Sequence, residues 1–350
     1  MNVLPVSHIY RWDLDKTYLA TDFDRWQNLL KIAFEKPEQK VNVPGTAALL
    51  RALPQAAPEG TRVLIFFISG SPQQMRKVLE AKLALDGVTW QGLTLKPNLR
   101  NIARGRFRAV KEQVGYKLPL LLEGRTDILP EVGETLFGDD AESDAFIYSL
   151  YADFMSGRVE WDQVEQVMKA CRVYPDALAQ ARAAQAHIQR ADVVDRIFIH
   201  LDRRSSPDRF DGYHERVVPI YNYWQVAVCL HARGRLHAGG VAAVAASLLS
   251  DYDYNIPRLV NSTEDLLRRG HLPVRALSAL AEELAVTEGV PPLLVESLGR
   301  QVASPPLATS YLESSMSLRD YPRLLAIDQA ARKAAKLAAQ TLRRFRDPPI

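Results

Sequence analysis

The sequence predicts an α/β fold: a doubly wound, Rossmann-like parallel sheet followed by an all-α region. Three observations predict it. Strand-like and helix-like segments alternate through the first 200 residues, as successive βαβ units require. Val63 to Ile68 (VLIFFI) is wholly apolar, β-branched and aromatic, which suits a strand buried on both faces of a parallel sheet. Beyond Asp202 the strand signals give way to helical periodicity. With 350 residues and 47% hydrophobic composition, the chain has enough apolar material for one large or two medium cores. The reading divides it into a core over 1–205, with a helical excursion at about 158–192, and a helical region over 206–350.

Residues 6–12 (VSHIYRW) read as the first strand, although His8 and Arg11 are unusual inside a parallel sheet. After Asp13-Leu-Asp-Lys-Thr17, Phe23, Trp26, Leu30, Ala33 and Phe34 recur at helical spacing, and a short helix is expected from Thr46 to Leu53. The strand at 63–68 runs into Ser69-Gly-Ser-Pro72, where Ser71 reads as an N-cap and Pro72 as the first helical residue. A weaker strand follows at Leu93 to Leu95, then a helix from near Lys117. Glu134 to Phe137 leads into Gly138-Asp-Asp140, and Ile147, Leu150, Tyr151 and Phe154 mark an amphipathic helix. Helices at 161–171 and 175–190 precede a fifth strand, Ile197 to Leu201. The remainder reads as helices at 224–233, 239–250, 262–269 (Ser262 and Asp265 forming a capping box), 273–286 and 323–345.

Composition narrows the function classes. A formal net charge of +3, spread along the chain, gives no nucleic-acid stripe. Cys171 and Cys229 form neither a disulfide framework nor a metal pair, which fits a reducing, cytoplasmic setting. Arg11, Asp13, Asp15 and Lys16 interrupt any signal peptide, and the longest apolar runs are too short to span a bilayer.

Ligands bind such sheets at the carboxyl ends of the strands, and Asp13, Ser69 and Asp139 each follow a strand-like run. Alternation along an extended segment points Asp13 and Asp15 to one side. One carboxylate can then attack phosphorus while the other handles protons, as phosphoryl transfer through an aspartyl-phosphate requires. Taken singly, each residue also has a plainer role: a strand end for Ser69, a solvated helix position for Lys117, helix caps for Asp139 and Asp140.

In order, Asp13-Leu-Asp-Lys-Thr17, Ser69, Lys117 and Gly138-Asp-Asp-Ala-Glu-Ser-Asp144 resemble the four motifs of the haloacid dehalogenase (HAD) superfamily. With Ser69-Gly-Ser-Pro72 and the Gly87…Gly92-Leu-Thr-Leu run, residues 8–155 resemble, more narrowly, the actin-patch-associated phosphatidate phosphatase family and its bacterial relatives. The resemblance implies Asp13 as nucleophile and metal ligand, and Asp15 as general acid/base with its backbone carbonyl on the metal. Thr17, Ser69 and Gly70 would hold phosphate, Lys117 would stabilise charge, and Asp139 and Asp144 would complete a Mg²⁺ site. An acid at Asp15 favours phosphate-ester hydrolysis over carbon–halogen cleavage. Lys111 competes with Lys117, which is preferred because a helix-like stretch follows it directly. Asp140 competes with Asp139, which directly follows a glycine. Lys16 stands where the family often has a small or acidic residue.

The intervals Thr17–Val63 and Ser69–Lys117 are too short for a full inserted cap, which favours a large phosphorylated substrate or a lid from elsewhere. Arg203, Arg204, Arg209, Arg216, Tyr213, Tyr221 and Trp224 make 203–224 a candidate lid, with an ordinary connector as the alternative. The last helix, with Arg332, Lys333, Lys336, Arg343, Arg344 and Arg346, is basic and amphipathic, a pattern that suits peripheral contact with an anionic membrane or a docked helix with a solvated face. The functional expectation is a Mg²⁺-dependent phosphatase acting on a small-molecule or lipid phosphate. The alternative is a phospho-ligand-binding or scaffold protein acting through its helical half.

Overall fold

The computed structural model describes residues 4–20, 36–96, 113–307 and 319–330. Its frame is a six-stranded, all-parallel sheet made of β1 (Val6–Asp13), β2 (Arg62–Pro72), β3 (Gly92–Lys96), β4 (Gly133–Asp139), β5 (Val194–His200) and β6 (Val217–Ile220). The spatial order is β3-β2-β1-β4-β5-β6. The chain winds outward from β1 to β3, then starts again on the other side of β1 with β4. Strand order therefore reverses between β1 and β4, and a crevice opens there at the carboxyl ends.

In chain order the helices are α1 (Thr46–Ala52), α2 (Arg76–Leu85), α3 (Gln113–Glu123), α4 (Asp144–Met155), α5 (Trp161–Ala170), α6 (Pro175–Gln185), α7 (Tyr223–Ala232), α8 (Ala238–Asp251), α9 (Ile256–Arg268), α10 (Val274–Ala285) and α11 (Pro292–Ala303). Residues 321–330 are also helical. Side-chain alternation divides the strands between two cores. Trp12, Phe67, Phe137 and Phe198 pack with α1, α2, α7 and α8, and α9–α11 extend that cluster. Leu136, Ile197 and Ile199 face the other way, against α3–α6 together with Tyr321 and Leu324.

The polar residues of β1 are accommodated by partners. Arg11 is buried; its Nε–H donates to Glu134 Oε2 at 2.6 Å, while Arg125 and the Tyr151 hydroxyl donate to Oε1 at 2.9 and 3.0 Å. A charge survives in a core when it is paired and hydrogen-bonded in this way. His8 lies 2.8 Å from Thr135 Oγ1 on β4, and burial, reinforced by Arg235, holds its pKa down to about 3.

Several local expectations need correction. There are six strands among the described residues, because VVPI at 217–220 extends the sheet beyond β5; Pro219 is tolerated on that edge, where only one neighbour needs hydrogen bonds. β2 continues through Ser69 to Pro72, so Ser71 caps no helix, and α2 starts only at Arg76. α3 begins by Gln113, placing Lys117 in its second turn. α9 starts at Ile256 under an Asn255 cap that accepts the Arg258 N–H at 2.9 Å, so Ser262 is interior and forms no capping box. α11 starts at Pro292 with Pro291 as its N-cap, a helix absent from the sequence-based expectations. The helix expected over Phe23 to Phe34 lies outside the described residues, as do Lys111 and the basic positions from Arg332 onward.

Candidate active site

Asp13 ends β1 and Asp139 ends β4, so parallel pairing of these strands sets the two carboxylates side by side at the crevice. The chain then turns sharply to bring back Asp144, the first residue of α4. Asp139 Oδ1 accepts the backbone N–H groups of Ala141 and Glu142, and Asp144 Oδ2 accepts the Asp139 N–H at 3.1 Å. Gly138 makes the return possible: a Cβ there would stand 2.3 Å from Asp144 Oδ2. One oxygen from each of Asp13, Asp139 and Asp144 lies within 4.8 Å of the others. Lys117 enters from α3, with Nζ 3.2 Å from Asp13 Oδ1 and 2.9 Å from Glu142 Oε2, and it also donates to Asp144 Oδ1.

The loop after Asp13 is fastened from several directions. Asp15 Oδ2 accepts the hydroxyls of Ser69 at 2.8 Å and Ser71 at 2.9 Å, and the Ser71 N–H donates to Ser69 Oγ at 2.9 Å. Tyr116, next to Lys117, donates its hydroxyl to the Ser69 carbonyl at 2.9 Å. Lys16 adopts a left-handed backbone (φ 61°), an uncommon state for a residue with a Cβ. Its carbonyl lies 2.9 Å from His200 Nδ1, and the Tyr223 hydroxyl donates to the Thr17 carbonyl at 2.8 Å. The Lys16 ammonium is 3.8 Å from Asp202.

Four carboxylates, Asp13, Asp139, Glu142 and Asp144, thus face one ammonium. Burial raises the pKa of Asp13, Asp139 and Asp144; neighbouring acids add to the rise and Lys117 opposes it. Burial alone would lower Lys117, but Asp13, Asp144 and Glu142 outweigh it and hold the ammonium charged. Oδ2 of Asp13 and Oδ2 of Asp139 are buried without a hydrogen-bond donor, and Asp13 Oδ1 meets only the Lys117 ammonium at 3.2 Å. Such oxygens are costly unless something positive meets them. An all-carboxylate set of hard oxygens in this excess-negative crevice fits a small divalent cation such as Mg²⁺.

The structure brings Asp13, Lys117, Asp139 and Asp144 together, with Asp15 and Ser69 joined beside them. The Thr17 hydroxyl is buried without a hydrogen-bond partner, and Gly70 lies against Gln113. Asp140 lies outside the acidic triad; its oxygens accept the backbone N–H groups of Arg203 at 2.8 Å and Ser205 at 3.1 Å. Two contributors were missed. Glu142 lay unremarked in an already acidic run, and Ser71 carried a helix-start signal that hid its bond to Asp15. In the 203–224 segment, Arg216 pairs with Asp192, Tyr213 and Trp224 are buried, and Arg203 and Arg204 remain exposed.

Residues 12–161 match the family model described as phosphatidate phosphatase APP1, catalytic domain. The matched segment holds every residue from Asp13 to Asp144 discussed above, and it is less than half of the chain. No curated protein and no solved structure matches. Among the described residues, no helix is long and apolar enough to cross a membrane.

Proposed function

We propose that this chain is a HAD-type, Mg²⁺-dependent phosphatase that hydrolyses a phosphate monoester through an aspartyl-phosphate on Asp13, with a lipid phosphate such as phosphatidate as its substrate. The observation that carries the reading is the buried cluster at the β1–β4 switch point: three aspartates, two of them (Asp13 and Asp139) with undonated oxygens, beside one enclosed lysine. The family match to 12–161 supports phosphate-ester hydrolysis and supplies the lipid.

Asp13, Asp139 and Asp144, with the carbonyl of Asp15, would hold the ion. When bound, it would offset carboxylate charge and polarise a phosphate oxygen. An oxygen of Asp13 attacks phosphorus; the P–O bond to the leaving group breaks as Asp15 delivers a proton to the departing oxygen. Asp15 then takes a proton from water, whose oxygen attacks phosphorus, and the bond to Asp13 breaks to release phosphate. Lys117 is held between Asp13 and Asp144, where it neutralises charge shared by nucleophile and phosphoryl group. The Ser69 and Ser71 hydroxyls aim Asp15. Ser69 must release Asp15 to donate to phosphate, whereas the Thr17 hydroxyl has no bond to give up. The loop carrying Arg203 and Arg204 is fastened to Asp140, and in this reading it meets the anionic substrate at the rim. Two cysteines, too few for a disulfide framework, fit a cytoplasmic enzyme that meets its lipid at a membrane surface.

The test is hydrolysis of an aryl phosphate and of detergent-dispersed phosphatidate, with Mg²⁺ or with chelator. Wild type should turn over both, only with Mg²⁺, and Asp13→Asn should lose at least about a thousandfold. Turnover surviving in Asp13→Asn removes the nucleophile. Activity on the aryl ester alone removes the lipid.

A further inference from the structure

Ser143 stands at the N-cap of α4, directly before Asp144, yet its side chain makes no capping hydrogen bond. A serine at this position ordinarily accepts a backbone N–H of its own helix. Here its hydroxyl donates instead to Asp328 Oδ2 at 2.6 Å, across 185 residues of sequence. Both side chains are buried, Ser143 at 6% and Asp328 at 4% exposure. Arg209 Nη2, 3.7 Å from Asp328 Oδ1, balances part of its charge.

The segment that delivers Asp328 is anchored at the opposite end of α4. Arg319 donates to both oxygens of Asp153 at 2.6 and 2.7 Å, and the Tyr321 hydroxyl donates to Oδ2 at 2.6 Å. Tyr321 then meets Phe146 edge-on, with ring centroids 5.8 Å apart, and Leu324 is buried in the same core. Residues 319–330 therefore run antiparallel along α4, from Asp153 back to Ser143. All twelve residues of α4 are buried, so the helix is gripped along its length.

From this geometry we infer that Asp328 is a positioning residue for the cation site: it fixes Ser143 and, through that residue, the place of the Asp144 carboxylate. The inference rests on the cation site proposed above and extends it, because Asp328 lies outside the segment that matches the catalytic family. A charge-assisted O–H···O⁻ bond is among the stronger neutral-donor contacts, and its burial shields it from competing water. Outer partners of this kind set ligand orientation and hence affinity.

The experiment measures Mg²⁺ binding by calorimetry on the full chain, alongside melting temperature in chelator. Asp328→Ala and Ser143→Ala should each weaken Mg²⁺ by about tenfold. The double variant should be no weaker than either single one, since both remove the same bond. Asp328→Asn, whose carboxamide oxygen still accepts from Ser143, should stay within about threefold of wild type. A lower melting temperature with unchanged Mg²⁺ affinity in Asp328→Ala makes the residue a structural brace only and overturns the inference, as do additive losses in the double variant. Wild type that binds no Mg²⁺ overturns the cation site itself and this inference with it.

Discussion

Gly138→Ala is the sharpest test of the turn that assembles the acidic cluster. A Cβ on residue 138 would lie 2.3 Å from Asp144 Oδ2, 2.4 Å from its Cβ and 2.6 Å from its Cγ. Comfortable carbon contacts are about 3.5–4.0 Å, so Asp144 must retreat by roughly 1 Å or more. Rotating its side chain does not help, because its Cβ is fixed to the backbone of α4. The fully buried helix must shift, and the bonds from Asp144 to the Asp139 N–H and to Lys117 stretch or break. Overpacking of this kind costs about 1–3 kcal/mol, and a buried polar group losing its partner about 1–3 more. With an unfolding entropy near 2.1 cal/mol/K per residue, a 350-residue chain loses about 1.4 °C per kcal/mol. A total of about 2–6 kcal/mol therefore lowers the melting temperature by roughly 3–8 °C. Calorimetric melting with chelator and with Mg²⁺ would show this, together with at least about a tenfold weaker Mg²⁺ response. Gly299→Ala is the control: it lies inside α11 with nothing within 4 Å of a new Cβ, and should gain about 0.5–1 kcal/mol. Gly138→Ala melting within about 1 °C of wild type, with an unchanged Mg²⁺ response, would refute the close approach of Asp144 to residue 138.

Two further outcomes follow from buried charge. Without a cation, Asp13, Asp139 and Asp144 have folded-state pKa values raised by burial. Their stabilising contribution is fully present below the unfolded value of about 3.9 and is lost as pH rises through the folded values. The chelated protein should thus lose stability from these groups toward neutrality, while Mg²⁺ restores it. At a hundred times its dissociation constant, Mg²⁺ would add about 2.7 kcal/mol. That increment, read as a melting shift, should shrink as pH falls through the raised folded-state values of these three groups; a shift that grows toward acid would contradict the cluster's electrostatics. Glu134→Ala leaves Arg11 and Arg125 buried without their shared acid, and should cost about 3–5 kcal/mol in denaturant unfolding while the folded protein keeps its Mg²⁺ affinity. A loss below about 1 kcal/mol would contradict the role of the buried Arg11–Glu134–Arg125 cluster.

What could be read in the sequence was local. VLIFFI announces a buried strand by composition, and the acids after β1 and β4 stand where parallel strands end, so their convergence follows from the fold class. Partners distant in sequence leave no such trace. Arg11 looks anomalous until Glu134, 123 positions away, is set beside it, and Ser71 reads as a cap because Asp15 lies 56 positions back. Pro219 disguises β6, since edge position cannot be seen from four residues. Lys117 is preferred over Lys111 in the sequence because a helix-like stretch follows it; α3 has begun by Gln113 and puts Lys117 among the acids, and Lys111 lies outside the described residues. Asp328 offers no signal at all.

The support of the site also crosses the boundary drawn near residue 205. Trp12, one residue before Asp13, stacks on Phe137 at 3.9 Å between ring centroids, and on its other neighbour Tyr223 at 5.6 Å. Phe137 in turn stacks on Phe198 at 5.4 Å. This aromatic layer floors both strands that end in the acidic pair, and Tyr223 adds its hydroxyl bond to the Thr17 carbonyl. On the other face, Arg319, Tyr321 and Asp328 grip α4. The segment matching the catalytic family thus supplies the acids and the lysine, while residues beyond it hold the loops that aim them. A buried cluster with this much uncompensated charge repels itself, so it keeps its geometry only where the surrounding scaffold is rigid enough to oppose that repulsion. The helical half is a source of that rigidity on both faces of the sheet.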